Sequence, residues 1–123
     1  MANFKGANPF KIPRPIRLPD GWNAETLAGD KTLTTKDAQM QALDCGGSSR
    51  NLHLPAGSVK GHYYQIANKS DAAEIFVVYQ PDGSTEVCRI SQNDMAIVYA
   101  VDDIASGAAA GWSLFFMISG AIS

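Results

Sequence analysis

The sequence is poor in the residues from which reactive sites are built. Its 123 residues include two cysteines, Cys45 and Cys88, and two histidines, His53 and His62. Two cysteines exclude a disulfide-rich framework, and a pair of buried thiols is expected. Cys45, His53, His62 and Cys88 contain no compact ligand pair of the spacing zinc requires, so no metal or cofactor is expected. Both histidines read as solvated, at a strand start or opposite an apolar set. A serine nucleophile needs a histidine base and an orienting acid. Ser48 and Ser49 follow Gly46 and Gly47, but without the G-x-S-x-G pattern of a nucleophile elbow. Nor is there the lysine and following helix of a phosphate loop. Asp102 and Asp103 are adjacent and face opposite ways on a strand, which suits a strand exit better than acid–base chemistry. No catalytic residues are expected, and the protein is read as a non-enzyme.

Long apolar runs are also missing. No run of large apolar residues exceeds Leu114 to Ile118, far short of the roughly 18 residues that cross a bilayer. The N-terminal stretch lacks the apolar segment of a secretory leader, so neither leader nor membrane span is expected. Charge is sparse and uneven. Residues 1–19 carry Lys5, Lys11, Arg14 and Arg17 without an acid, a charge of +4, while six basic and twelve acidic residues leave −6 on residues 20–123. An acidic body argues against nucleic acid as a direct partner. A basic lead-in points instead to an acidic protein surface.

The length fits one domain with a small core. Four of the six prolines fall within the first 19 residues. Proline fixes φ and pushes its predecessor to extended geometry, so an extended arm over residues 1–22 is expected ahead of a body over 23–123. Phe4, Phe10, Ile12, Ile16 and Leu18 punctuate that arm, and a plain linker rarely carries so many large apolar groups.

From Leu33 onward, short apolar runs alternate with turn clusters every 8–12 residues, the rhythm of a sandwich or barrel. Strands are expected at Gln39–Leu43, Asn51–Leu54, His62–Ala67, Glu74–Tyr79, Glu86–Ile90, Met95–Val101 and Trp112–Ser119. Pro81-Asp82-Gly83 is the sharpest turn signal and predicts a hairpin between the fourth and fifth of these. Ala24–Leu27 is expected to form at most one helical turn. The expected fold is all-β, an antiparallel β-sandwich or jelly-roll-like barrel with an extended Pro-rich N-terminal arm.

Alternation places Leu52, Leu54, Tyr64 and Ile66 inward. Two segments are apolar on both faces. In one, Ile75, Val77 and Tyr79 oppose Phe76 and Val78; in the other, Trp112, Leu114, Phe116 and Ile118 oppose Phe115 and Met117. A small domain has little room for strands buried on both sides, so a sister subunit is expected to cover one face. Phe76, Val78, Phe115 and Met117 are the expected oligomer interface, with a homotrimer favoured and a dimer possible. A sugar-binding reading would use Tyr63, Tyr99 or Trp22, although no aromatic cluster at strand spacing stands out on a polar face.

The stretches "LTTKDAQMQALDCGGSSRNLHLPA" (33–56), "GHYYQIANKSDAAEIFVVYQPDGST" (61–85) and "GWSLFFM" (111–117) together resemble the head decoration (cement) proteins of tailed bacteriophages and related small virion β domains. Each motif is turn-and-strand grammar, and their order carries the resemblance. It implies a β-sandwich or barrel body that oligomerises on the capsid exterior, over contacts between major capsid subunits. The protein would be made in the host cytoplasm. It also implies that Phe4, Lys5, Phe10, Lys11, Ile12, Arg14, Ile16, Arg17 and Leu18 form a capsid-binding arm on the major capsid protein. The alternative is a sugar- or receptor-binding domain of a viral head or tail fibre.

Overall fold

The computed structural model describes residues 21–120. Every candidate arm residue from Phe4 to Leu18 lies outside the described residues. Nine strands form two sheets: β1 (Trp22–Thr26), β2 (Lys31–Thr32), β3 (Met40–Asp44), β4 (Arg50–His53), β5 (Tyr63–Asn68), β6 (Phe76–Tyr79), β7 (Glu86–Ile90), β8 (Met95–Ala100) and β9 (Trp112–Ile118). The first sheet has the order β1-β3-β5-β8-β9 and the second β2-β4-β6-β7. The fold is all-β and sandwich-like. Among the described residues no helix is long and apolar enough to cross a membrane.

The expected antiparallel layout needs correction, because the chain changes sheet at each of its first five connections. β1, β3 and β5 therefore lie parallel in the first sheet, and β2, β4 and β6 lie parallel in the second. Only β6–β7, β5–β8 and β8–β9 are antiparallel. Both sheets are mixed, and they do not close into a barrel. Parallel neighbours need a long crossover, usually through a helix. Here a strand of the opposite sheet serves as that crossover. Turn residues that build a hairpin also turn a corner between sheets, so the turn rhythm alone does not separate the two layouts.

The corner after β3 shows how this is done. Gly46 and Gly47 adopt φ of 77° and 107°, a region glycine enters without penalty. A Cβ on Gly46 would overlap the Leu27 carbonyl oxygen, so this corner also needs the absent side chain. By contrast, the Pro81-Asp82-Gly83 turn is the hairpin the sequence predicts. Asp82 accepts hydrogen bonds from the Thr85 hydroxyl and from the Ser84 and Thr85 amides. These bonds, with Thr85 foremost, hold its carboxyl down to about 2.

Ala24 is not in a helical turn. Its segment is the edge strand β1, and Leu27 continues it by donating its amide to the Asp44 carbonyl at 2.8 Å. Pairing with β3 satisfies backbone groups that an isolated helical turn would leave open.

Leu43, Leu52, Leu54, Tyr64, Ile66, Phe76, Val78, Ile90 and Val98 fill the space between the sheets, with Trp112 closing one end. Both cysteines are free and buried, and burial pushes the Cys88 thiol up to about 12. Three buried amides knit this interior. Gln41 donates to the Ala38 carbonyl and accepts from Asn23. Gln80 bonds both the amide and the carbonyl of Trp112, as a neighbouring strand would. Asn68 donates to the Glu74 and Ile90 carbonyls and accepts from the Ser70 amide.

Candidate functional site

The residues named as an oligomer interface separate. Phe76 and Val78 are 0% exposed and belong to the core between the sheets, so they cannot meet a partner while the domain is folded. Their β6 neighbours Val77 and Tyr79 face outward, beside Asn51, Arg89, His53 and Glu86, which makes the outer face of the second sheet mixed and polar.

Phe115 and Met117 part as well. Opposed residues in a sheet share a face. In β9, Phe116 pairs with Ile97 but Leu114 pairs with Val98, with a register shift between. The bulge takes up Phe115 as an extra residue and reverses the alternation beyond it. Met117, opposite buried Ala96, therefore turns inward and packs on the core. Phe116 and Ile118 face out, and Phe115 is 64% exposed.

The outer face of the first sheet is largely apolar, with Gln65 the polar side chain in its central row. Strand register lines up Trp22, Met40, Gln65, Ile97 and Phe116 in one row, and Ala24, Ala42, Ala67, Met95 and Ile118 in the next. Tyr63 and Tyr99 pair in a third. Charge stands only at the margin, at Glu25, Asp44 and Lys69. Five strands spaced about 4.8 Å apart, each about six residues long, give a face on the order of 500 Å². A patch of that size on a soluble domain usually marks an interaction site.

The face also has relief. The three alanines floor an open groove of about 820 Å³, walled by Trp22, Met40, Gln65 and Met95. On the far side, Tyr99, Phe115 and Phe116 form an edge-on aromatic ridge with centroid spacings of 5.7 and 5.2 Å. Tyr63, Ile97, Tyr99 and Phe115 border a second pocket of about 390 Å³ beside it. The sequence reading found no aromatic cluster on a polar face, and the cluster present lies on the apolar one. Tyr63 and Phe115 are distant in sequence, and only strand pairing brings them together.

Sequence reasoning missed most of this face because β8 is built against expectation. Its small residues Ala96, Val98 and Ala100 are inside and its large Met95, Ile97 and Tyr99 are outside. The inner side has to leave room for Tyr64 and Trp112, whose rings lie 5.6 Å apart. The strict large–small alternation of "MAIVYA" was the available signal.

The histidines are half-buried, contrary to the solvated reading. His62 bonds the Ser58 hydroxyl at 2.9 Å and packs against the Tyr64 and Trp112 rings at 4.8 and 5.9 Å. Ser58 is itself buried, so its hydroxyl belongs to the interior of the domain. Burial holds the His62 imidazole below its ordinary value. The unfolded chain thus binds the proton more readily than the native one, and native stability is complete above pH 6.5 and falls as pH drops below it. Urea midpoints at pH 7.5 and 5.5 should show this loss, and His62→Gln should diminish it. Equal pH dependence in the two proteins would assign the effect to other groups.

Asp103 accepts from the Lys60 amide, which fits its expected place at a strand exit. No protein-family model matches this chain, and comparison with curated proteins finds no similar sequence.

Proposed function

We propose that this chain is a non-catalytic structural protein of a virion, one that self-associates through the outer face of its first sheet and decorates a capsid. The observation that carries the reading is the largely apolar face with its groove and ridge. Groove and ridge lie on opposite halves of one surface, so a twofold axis seats the ridge of each copy in the groove of the other. Such an isologous contact favours a dimer over the trimer. About 500 Å² from each copy reaches the lower bound of a specific interface. The apolar, nearly uncharged character suits a homodimer more than a transient contact.

The resemblance to head decoration proteins supplies the rest of the reading. The basic segment 1–19 would meet acidic groups of the major capsid protein, while its apolar residues fill grooves between subunits. The charges then govern encounter rate and salt sensitivity, and the apolar groups govern affinity. The test is sedimentation of the full chain with mature phage heads. Reversing Lys11, Arg14 and Arg17 to glutamate together should weaken binding at least tenfold and flatten its salt dependence. Equal binding by this variant would overturn the role given to the arm.

One observation favours a sugar- or receptor-binding domain as a second reading. Tyr63, Tyr99 and Phe115 border an open pocket, and aromatic faces of this kind can stack on a sugar ring. A glycan array read with Tyr99→Ala as control decides it: binding lost in the variant favours the fibre reading, and no binding removes it.

A further inference from the structure

A second site lies away from the apolar face and is independent of the proposed function. Asp44 ends β3, while Asp71 and Glu74 lie on the connection from β5 to β6. One carboxylate oxygen from each of the three lies within 4.8 Å of the other two. Like charges so close repel unless something positive sits between them. The ion pairs among the described residues, Lys31–Glu25 and Arg89–Glu86, are elsewhere.

Glu74 carries the second observation. It is 9% exposed. Among the described residues, its Oε1 is the single buried side-chain nitrogen or oxygen without a hydrogen-bond partner. Buried polar atoms are nearly always satisfied, and an orphan in a native fold points to an ion or water it is built to hold. An orphaned carboxylate oxygen calls for a cation.

The scaffold around the cluster is fixed before any ligand arrives. Asn68 holds the Glu74 carbonyl at 2.8 Å and the Ser70 amide at 3.0 Å. The Ser70 hydroxyl accepts from the Cys45 amide at 2.9 Å. The Lys69 amide donates to the Leu43 carbonyl at 2.7 Å. Loop and β3 end are thereby tied at both sides of the carboxylates, and little ordering remains for a ligand to impose.

We infer that Asp44, Asp71 and Glu74 form a binding site for a divalent, oxygen-preferring cation of calcium size. Calcium accepts six to eight oxygens at about 2.4 Å in flexible geometry, which suits three carboxylates fixed by the fold on different elements, whereas magnesium demands near-ideal octahedral placement at about 2.1 Å. An all-carboxylate donor set disfavours softer metals. Water completes the coordination on the exposed Asp71 side. The bound ion would lock the β3 corner to the β5–β6 connection.

The experiment is thermal unfolding of the full chain in EDTA, then with millimolar CaCl₂ or MgCl₂, paired with calorimetric titration of CaCl₂. A ligand that binds only the native state raises Tm by mass action, here by about 5–10 °C with calcium. Asp71 is exposed, so Asp71→Asn should fold normally, be at least as stable as the native chain in EDTA because one repelling charge is gone, and lose most of the rise. Glu74→Gln should lose it entirely. Equal Tm values in EDTA and calcium, with no heat of binding, would overturn the site. So would a calcium response undiminished in both variants, and a response to magnesium alone would overturn the calcium-size assignment.

Discussion

Phe116→Glu is expected to convert the associated protein to a monomer while leaving the domain folded. Light scattering should give twice the 13.1 kDa of one chain for the native sequence and a single chain for the variant. Phe116 sits at one end of the central row of the outer face, opposite Ile97, and belongs to the aromatic ridge. In the twofold arrangement it enters the alanine groove of the other copy, away from water. A glutamate there is a buried, unpaired charge, which costs several kcal/mol. A loss of at least about 3 kcal/mol weakens association more than a hundredfold.

The fold itself should tolerate the change, because Phe116 already faces outward and is 41% exposed. Ala42→Trp offers a test from the opposite side of the contact. It fills the groove floor without touching the core, and it should block association just as well. A monomeric native protein at high micromolar concentration would refute the interface, and so would a variant of unchanged mass.

Asn68→Leu is expected to be the most destabilising single substitution away from the apolar core. Asn68 is 0% exposed, and its amide serves three backbone groups, one at the end of β7 and two on the connection from β5 to β6. Leucine is close in volume but leaves two carbonyls and one amide buried and unpaired. Each orphan costs about 1–3 kcal/mol, and partial relaxation brings the sum to roughly 3–5 kcal/mol. That is a large part of the 5–15 kcal/mol typical of a whole domain. Chemical denaturation of the two proteins measures the loss directly. A deficit below about 1 kcal/mol would show that water replaces the amide without strain.

Asn68→Asp refines the same test. It keeps the acceptor for Ser70, but an ionised carboxylate has no proton for the two carbonyls. Burial raises the pKa of such a group above its unfolded value, so the native state holds the proton longer. The variant's stability should therefore be greatest in acid and decline as pH rises above the unfolded aspartate value. The opposite trend would mean that the aspartate is charged and solvated in the native state, and the packing around residue 68 would need revision.

Seven of the nine strands are legible in the sequence within a residue or two, as are the hairpin at Pro81–Gly83 and the inward side of β4 and β5. Alternation and turn chemistry are local, and local signals survive folding when neighbouring residues decide them. β1 and β2 were not legible, because edge strands of polar composition have no apolar periodicity to betray them. Strand partners were not legible either. Whether a corner closes a hairpin or passes to the other sheet depends on what the next strand finds, which is a non-local matter.

The interaction face shows the same division. The sequence by itself determined that too many apolar residues exist for one small core, and that an unmatched face follows. Only the tertiary structure decided which face. Phe76 and Val78 went inside because their face of β6 is the one turned to the other sheet, while Val77 and Tyr79 on the same strand face out, and Phe116 came out because a single bulge in β9 reversed the alternation. In the sequence Asp44 and Asp71 were ordinary turn residues and Glu74 the first residue of an expected strand. They became a cluster when β3 and β5, separated by a whole strand of the opposite sheet, paired side by side.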